Sequence, residues 1–334
     1  MGQIECKYFK AGKKCKFGDK CHFGHGKNQS SSSSSTPQTA TSSPPLTSTS
    51  SPPQGTFNWV SKDISKGNLS YPLRAINQCD DQPLPEDFKF IEKSFPGDNV
   101  IPREIPLKCD CIGDCYDTNN MGQDNCSCFQ KEKYYDDKGR LLHLNFTEIY
   151  ECSPECNCSE SCRGRVIQKG PQHPLELFKT KDKGWGVRAK VEIPARTYVC
   201  EYVGEIIGQE EAEKRGSEYD KKGLSYLFDL GGSNERTSIA ELTIDATHFG
   251  NESRFINHSC DPNLTSFSAF IETIDERMPR IVFFSNKFIK INEELTFDYK
   301  YTIPLGHDAS GNAPGDIKCN CGSKNCRKWL WKAG

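Results

Sequence analysis

A dense block of cysteines in the middle of this chain constrains its fold more than any other feature. Nine of the 18 cysteines form C-x-C-x3-C, C-x-C and C-x3-C-x-C-x3-C groups: Cys109, Cys111, Cys115, Cys126, Cys128, Cys152, Cys156, Cys158 and Cys162. These spacings suit zinc coordination and are too short for easy disulfides between neighbours. Three tetrahedral zinc ions need twelve ligand bonds, so nine thiolates suffice only if three of them bridge two ions each. Two separate four-cysteine sites with one spare thiol are the alternative.

A second group of metal ligands stands at the start of the chain. Cys6, Cys15, Cys21 and His25 have the spacing C-x8-C-x5-C-x3-H, which can close one tetrahedral zinc site. This segment resembles the CCCH zinc-finger family, whose members often bind single-stranded RNA. Rings that could stack on bases and lysines that could meet phosphates lie between the ligands. They are Tyr8, Phe17, Phe23, Lys7, Lys13, Lys14, Lys16 and Lys20. The alternative is that the rings form only the small core of the finger.

A third group of cysteines lies near the end of the chain. Cys319, Cys321 and Cys326 form C-x-C-x4-C, which is one ligand short of a tetrahedron. Cys260 is the expected fourth ligand. A zinc ion at these four residues would fold the C-terminal tail back onto the segment around Cys260.

The remaining composition describes a folded chain with one low-complexity linker. Residues 28–54 are nearly all Ser, Thr, Pro and Gln and cannot pack a core. The chain has no run of eighteen apolar residues, and Met1 to Phe9 lacks the apolar stretch of a signal peptide, so we expect a soluble, unsecreted protein. The net charge of -2 hides a basic start, since residues 1–27 carry seven lysines, which suits a module that binds polyanions. Cys79 and Cys200 stand outside the three cysteine groups.

The second half of the chain predicts a mostly β domain of small sheets. Short runs of β-forming residues alternate with Gly, Asn and Pro turns from Leu175 onward. These runs are Thr197 to Ile207, Tyr226 to Leu230, Leu264 to Ile271, Arg280 to Phe284 and Glu294 to Tyr301. Only Gln209 to Arg215 has a convincing helical pattern.

Three segments of this β half carry the functional signal. They are Gly184-Trp185-Gly186-Val187, Arg254-Phe255-Ile256-Asn257-His258-Ser259-Cys260 and Glu294-Leu295-Thr296-Phe297-Asp298-Tyr299. In this order, with Glu201 to Glu205 between them, they resemble the SET-domain family of lysine methyltransferases. The nine-cysteine block, together with Ile76-Asn77 and Pro83 to Ile91, resembles the pre-SET module of histone H3 lysine 9 methyltransferases of the suppressor-of-variegation class. The last cysteines resemble the post-SET module, and the whole resemblance spans roughly Ile76 to Trp331.

The resemblance implies a fold, a cofactor and a set of metal sites. It implies the SET β-fold with a knot-like core, a three-zinc pre-SET cluster and a post-SET zinc, which makes five zinc ions with the finger. It also implies that S-adenosylmethionine is held by the glycine-tryptophan turn and the Arg-Phe-Ile-Asn-His segment. The residues expected to contact the cofactor are Gly184, Trp185, Gly186, Arg254, Asn257, His258, Tyr299 and Trp331. Trp329 is a second candidate for the aromatic residue that covers the cofactor.

The resemblance also assigns the catalytic residues and the lysine channel. Tyr299 is the expected catalytic tyrosine, with Tyr226 and His258 as further catalytic candidates. Tyr226, Phe297 and Tyr299 are expected to line the channel for the substrate lysine. Family members have either Phe or Tyr at the position of Phe297, and Phe removes a hydroxyl that restrains the methylated amine. The resemblance therefore implies di- or trimethylation.

The expected organisation is five consecutive modules. They are a CCCH finger (residues 1–27), a linker (28–56), a pre-SET module (57–170), a SET domain (171–303) and a post-SET module (304–334). The implied activity is methyl transfer to histone H3, with lysine 9 as the target, in the nucleus and on chromatin, contributing to heterochromatin and gene silencing. The expected partners are the histone H3 tail or nucleosome and single-stranded RNA at the finger. An RNA-binding protein with a non-catalytic SET module and a methyltransferase for a non-histone protein are the alternatives.

Overall fold

A computed structural model describes residues 59–117, 126–129, 132–220, 226–230, 242–300 and 317–331. The chain divides into the units Met1–Pro53 and Gln54–Gly334, and all the described residues belong to the second. The predicted finger and its ligands Cys6, Cys15, Cys21 and His25 lie outside the described residues, as does the predicted linker. Within the described ranges, no helix is long and apolar enough to cross a membrane.

Short β-strands dominate the described part of the chain, as the sequence predicts. The strands are β1 Trp59–Ser61, β2 Arg74–Asn77, β3 Lys89–Phe90, β4 Phe95–Pro96, β5 Glu148–Tyr150, β6 Leu175–Lys179, β7 Trp185–Ala189, β8 Tyr198–Tyr202, β9 Glu205–Gly208, β10 Leu227–Asp229, β11 Leu242–Asp245, β12 Phe249–Gly250, β13 Asn257–His258, β14 Leu264–Phe270, β15 Arg280–Ser285, β16 Thr296–Phe297, β17 Ile317–Lys318 and β18 Trp329–Trp331. Helix α1 spans Gln209–Asp220, and 3-10 turns span Ile167–Lys169 and Glu252–Phe255.

The strands form several small sheets instead of one large sheet. Three sheets have four strands each, in the orders β1-β2-β6-β7, β10-β11-β9-β4 and β5-β14-β15-β8. Three two-stranded sheets pair β12 with β3, β13 with β16, and β17 with β18. The parallel β13-β16 pair brings the Asn257-His258 segment beside the strand that leads to Tyr299. This mostly β architecture confirms the fold class predicted from the sequence.

Two apolar clusters form the core of the described unit. One cluster lies among the strands of the β half and includes Leu177, Val187 and Phe283. The other contains the cysteine block, with Leu141 and Ile149 among its fully buried members. The cysteine block is therefore part of a packed interior. The same apolar cluster also includes residues of β14 and β15.

Helix α1 continues five residues beyond the predicted end at Arg215. The continuation contains Gly216 and Ser217, which are poor helix formers and hide the extension from a propensity argument. Side chains at both ends of the extension are tied to one buried carboxylate on β11. Arg215 Nη1 donates to Asp245 Oδ2 at 2.8 Å, and the Tyr219 hydroxyl donates to the same oxygen at 3.0 Å. Tertiary contacts thus stabilise a segment whose local propensity is low.

Candidate active site and metal centres

The glycine-tryptophan turn and the Asn-His segment lie against each other. The backbone of Gly184 has φ of 71°, a conformation that favours glycine. A Cβ on Gly186 would come within 3.1 Å of Asn257 Nδ2 and of Glu294 Oε1. Asn257 Nδ2 donates to the Trp185 carbonyl at 3.2 Å and to Glu294 Oε1 at 2.9 Å. Four of the residues predicted to hold the cofactor therefore share one cradle.

Tyr299 is fixed by two hydrogen bonds to the same segment. Its hydroxyl donates to the Ile256 carbonyl at 2.8 Å, and its backbone N–H donates to His258 Nδ1 at 3.2 Å. Burial lowers the pKa of His258, which keeps the imidazole neutral so that Nδ1 can accept. Its other ring nitrogen lies 3.3 Å from Cys260 Sγ. The structure thus places His258 between the tyrosine and a cysteine, where it positions both.

A narrow cavity of about 40 Å³ opens beside the Tyr299 ring. Its lining residues are Tyr202, Tyr226, Leu227, Phe228, Arg254, Ile256, Phe297 and Tyr299. All three residues predicted for the substrate channel are among them. The rings of Phe297 and Tyr299 pack with centroids 4.7 Å apart. The structure therefore brings Tyr226, Phe297 and Tyr299 together around one aromatic cavity.

Arg254 lies in the wall of this cavity and not in the glycine-tryptophan cradle. Its guanidinium carbon stands 4.1 Å from the centre of the Tyr226 ring and 5.0 Å from that of Phe88. The side chain is buried, and its Nε and Nη1 atoms have no hydrogen-bond partner in the described part of the chain. Burial also lowers the pKa of Arg254. Arg254, which the sequence predicts as a cofactor contact, thus lies in the wall of this cavity.

Sequence reasoning missed several residues that shape the site. Tyr202 and Phe228 line the cavity, and the Tyr202 hydroxyl donates to the Tyr226 carbonyl at 2.8 Å. Glu294 accepts from Asn257 and, at 2.6 Å, from Lys183. Tyr202 lies in the motif Glu201 to Glu205, and Glu294 begins the motif Glu294 to Tyr299. Membership of these motifs was the sequence feature that could have pointed to both residues. The role of Phe228 depends on the register of β10 against β11, which no local pattern reveals.

The four cysteines expected to join the tail to the Asn-His segment do meet. The Sγ atoms of Cys260, Cys319, Cys321 and Cys326 all lie within 4.8 Å of one another. Backbone N–H groups donate to two of the sulfurs, from Arg327 to Cys260 and from Lys328 to Cys326, each at 3.3 Å. Such donors stabilise thiolates. The donor set and its spacing fit one tetrahedral zinc ion.

The nine-cysteine block forms overlapping groups of thiols. Three groups have all sulfurs within 4.8 Å: Cys109, Cys128, Cys152 and Cys156; Cys109, Cys115, Cys152 and Cys158; and Cys109, Cys111, Cys115 and Cys126. Cys109 belongs to all three groups, and Cys115 and Cys152 each belong to two. Cys162 lies beside them, since the Cys115 N–H donates to its sulfur at 3.4 Å. Shared thiols favour a bridged metal cluster over two separate four-cysteine sites.

A buried arginine accompanies this cluster. Arg165 Nη2 donates to Cys158 Sγ at 3.2 Å and to the carbonyl oxygens of Cys156 and Cys158. Nine thiolates around three zinc ions would carry three uncompensated negative charges, so a buried cation at the sulfurs lowers the cost of burying the cluster. The surroundings of the cysteines therefore fit bound zinc.

The two cysteines outside the groups have ordinary structural settings. Cys200 is fully buried in β8, and burial raises the pKa of its thiol well above the usual value. Cys79 is exposed, with its sulfur 3.2 Å from the Lys179 carbonyl.

The backbone of Trp331 pairs with Ile317 in the β17-β18 sheet. The side chain of Trp331, which is predicted to cover the cofactor, lies outside the described part of the structure.

Family models match three parts of the chain in the order that the motifs suggest. The Pre-SET motif model matches residues 65–165, the SET domain model matches 184–300, and a zinc-finger model of the C-x8-C-x5-C-x3-H type matches 1–27. The fold, the site and the family models together define a SET-domain protein with a pre-SET cysteine cluster.

Relatives and solved structures agree with this class. The chain is 41% identical over 270 residues to the histone-lysine N-methyltransferase Su(var)3-9 of Drosophila pseudoobscura pseudoobscura, covering 78% of this chain and 42% of that protein. It is 32% identical to the Neurospora SET domain protein DIM-5, a histone lysine methyltransferase, with a TM-score of 0.59, covering 70% of this chain and 96% of that one. The chain is also similar to KRYPTONITE in complex with mCHH DNA, an H3(1-15) peptide and SAH, with 31% identity and a TM-score of 0.68. The match covers 84% of this chain and 55% of that chain. The chain belongs to the pre-SET-containing SET-domain family that includes Su(var)3-9 and DIM-5.

Proposed function

We propose that this chain is an S-adenosylmethionine-dependent lysine methyltransferase whose substrate is histone H3, with lysine 9 as the target. The observation that carries this proposal is the convergence of Tyr299, the Asn257-His258 strand and the Cys260 cluster beside one narrow aromatic cavity. The relatives support the reaction class, and KRYPTONITE with its bound H3 peptide supports the substrate. The matched relative Su(var)3-9 is longer, since this chain spans 42% of its length.

The cradle of the glycine-tryptophan turn fits the proposed cofactor. The turn leaves no room for a side chain at Gly186, so a cofactor can approach the backbone closely there. Asn257 and the backbone beside Trp185 offer polar groups, while the tail tied to Cys260 supplies Trp329 and Trp331 as candidates to cover it. When bound, S-adenosylmethionine supplies an electrophilic methyl group on a sulfonium.

The cavity residues do the remaining chemical work, which is to align and deprotonate an amine. A free lysine titrates near 10.4, so holding it neutral at pH 7 costs roughly 5 kcal/mol. The aromatic walls remove water from the amine, and the buried Arg254 cation opposes an ammonium beside it. Tyr299, held by the Ile256 carbonyl and His258, lines this cavity, and its hydroxyl orients the amine. In-line transfer then depends mainly on positioning.

The nature of the wall favours more than one methyl addition. Phe297 presents an apolar ring that is 6% exposed and packs against Tyr299. Without a hydroxyl at this position, a methylated amine is free to turn for a second transfer. Aromatic walls also attract a methylated ammonium through cation–π contacts. We therefore assign di- or trimethylation as the product.

The proposed metal content is five zinc ions. Three would occupy the nine-cysteine cluster, one would occupy the site of Cys260, Cys319, Cys321 and Cys326, and one would occupy the finger. The five-module layout with boundaries at residues 27, 56, 170 and 303 accompanies this assignment. A nuclear, chromatin-bound protein follows from the proposed substrate, and single-stranded RNA is the proposed ligand of the finger.

A methyl-transfer assay separates the candidate substrates. The zinc-loaded chain is incubated with labelled S-adenosylmethionine and one of three peptides: native H3, H3 with lysine 9 replaced by arginine, or H3 with lysine 4 replaced. Label is expected in the first and third peptides only. Label on the lysine 9 replacement at the native rate would refute the target, and no label on any peptide or on whole histone H3 would refute the activity.

A further inference from the structure

The outer face of the β1-β2-β6-β7 sheet carries a charge cluster that the proposed methyl transfer does not use. Arg74 on β2, Glu176 on β6 and Arg188 on β7 lie opposite one another in the strand register. Their charged groups, together with Lys190 just after β7, meet at the Glu176 carboxylate. The distances to this carboxylate are 2.5 Å from Arg188, 3.2 Å from Lys190 and 3.8 Å from Arg74. Three cations therefore share one anion.

Because three cations pair with the single carboxylate of Glu176, the cluster has excess positive charge facing solvent. The Glu176 side chain is 1% exposed, whereas those of Arg74, Arg188 and Lys190 are 51%, 25% and 34% exposed. Among the ion pairs of the described residues, these cations contact no other carboxylate. Burial raises the pKa of Glu176, but the nearby cations Arg188 and Lys190 lower it by more than this. The pKa of Glu176 therefore lies below its usual value, and the carboxylate stays ionised. The cluster keeps two uncompensated positive charges on a chain whose net charge is -2.

We propose that this face, named here the basic sheet face (Arg74, Glu176, Arg188, Lys190), contacts the phosphate backbone of duplex DNA. The proposal rests on the proposed function only in that a nucleosomal substrate places duplex DNA beside the enzyme. The cations lie on β2 and at the end of β7, which flank β6, so the rigid sheet holds them about 10 Å apart. Cations in such fixed positions can contact phosphates of a duplex. The nearby Phe178 ring is covered by Arg188 at 5.0 Å, so it offers no platform for the base stacking that single strands use.

The test neutralises the two more exposed cations in the full-length, zinc-loaded chain. Arg188 is kept because its loss would leave Glu176 buried with too little compensation. The double variant Arg74→Gln/Lys190→Gln is titrated against a fluorescent DNA duplex of arbitrary sequence at several salt concentrations. Binding is expected to weaken roughly tenfold at low salt, and the salt dependence of log K to become shallower by about two phosphate contacts.

A matched variant removes the same charge elsewhere. Lys93→Gln/Lys214→Gln changes side chains that are 73% and 68% exposed and is expected to keep the parent salt dependence. Methylation of an H3 peptide is expected to be equal in all three proteins, whereas methylation of nucleosomes falls only in the first variant. An unchanged salt dependence, an equal loss in the matched variant, or a loss confined to single-stranded RNA would overturn the proposal. A parent protein that binds duplex as expected but methylates nothing would overturn the enzymatic function instead.

Discussion

Arg327 Nη2 donates to Asp298 Oδ1 at 2.6 Å, so a residue of the C-terminal tail is bonded to the immediate neighbour of Tyr299. The same nitrogen lies 3.4 Å from His258 Nε2, and the Arg327 N–H donates to Cys260 Sγ. Arg327 thus connects the tail that carries Cys319, the Asn-His strand and the segment that carries Tyr299. This arginine therefore couples the position of the tail to that of Tyr299.

Replacing this arginine should lower activity without unfolding the protein. Arg327→Gln removes the bond to Asp298, and because small displacements of reacting groups are costly, we expect kcat to fall roughly tenfold. The pair is half-exposed, so thermal stability should change little. Arg327→Lys should restore part of the activity, and the neighbouring Lys324→Gln should leave it intact. Equal kcat for Arg327→Gln and the parent would show that the contact does not position Tyr299.

The buried carboxyl group of Glu252 should make the fold less stable at neutral pH than at mildly acidic pH. Its side chain is fully buried, neither carboxylate oxygen has a hydrogen-bond partner among the described residues, and burial raises its pKa to about 7. An acid with a raised pKa in the folded state binds more protons folded than unfolded, so stability falls as pH rises from about 4.5 to about 7. The loss from this one group amounts to about 3 kcal/mol and is complete above pH 7.

A neutral replacement isolates this effect. Among the described residues, the titratable groups whose pKa values respond to Glu252 are the hydroxyls of Tyr71 and Tyr198 and the thiol of Cys200, and all three stay protonated over this pH range. Glu252→Gln should therefore flatten the dependence of the unfolding midpoint on pH between about 5 and 8, measured by denaturant titration. Parallel pH profiles for the two proteins would mean that the carboxylate finds compensation in the native state.

Phe297 sets the expected extent of methylation. Phe297→Tyr adds a hydroxyl to a ring of the cavity wall whose centroid lies 4.7 Å from that of Tyr299, and this hydroxyl can hold the amine after the first transfer. We expect mass spectra of an H3 peptide to shift from di- or trimethylated to mainly monomethylated product, with the first transfer slowed less than tenfold. Phe288→Tyr, on a side chain that is 48% exposed, should give the parent product pattern. An unchanged pattern in Phe297→Tyr would remove this residue from product control.

The cysteine clusters should differ in how easily they lose metal. The sulfurs of the tail cluster belong to half-buried residues, whereas Cys109, Cys128, Cys152 and Cys156 are buried. A mild chelator should therefore release about one zinc ion first, together with most of the activity and before the fold is lost. Cys319→Ser should reproduce this inactive, folded state, and Cys79→Ser, outside both clusters, should not. Activity that survives release of the first ion would separate the tail metal from catalysis.

The sequence predicted the parts of the fold that local pattern controls. The run Arg280 to Phe284 became β15, and Leu264 to Ile271 became β14, because alternating β-formers between turns carry their own signal. Cysteine spacing likewise predicted that Cys260 joins the tail, since ligand number leaves few choices. The parallel pairings of β3 with β12 and of β4 with β9 join distant segments of two residues each, and no local periodicity encodes them.

Side-chain direction was the part of the site that the sequence could not supply. Arg254 and Asn257 stand three positions apart in one motif, yet Arg254 lines the aromatic cavity beside Tyr299 and Asn257 reaches the Trp185 carbonyl. The 3-10 turn Glu252–Phe255 sets these directions, and the sequence predicted no turn of that type there. The burial of Glu252 was equally hidden, because a glutamate in a polar run gives no sign of an apolar environment.

The decisive measurement concerns the Tyr299 hydroxyl. Tyr299→Phe removes one oxygen from a side chain that lines the cavity, and the zinc content and thermal unfolding of this variant should match the parent protein. Methyl transfer to the H3 peptide, followed by mass spectrometry under single-turnover conditions, should slow by about 10² to 10⁴ fold. Transfer at the parent rate by this folded, fully metallated variant would mean that the cavity beside Tyr299 is not where methylation takes place.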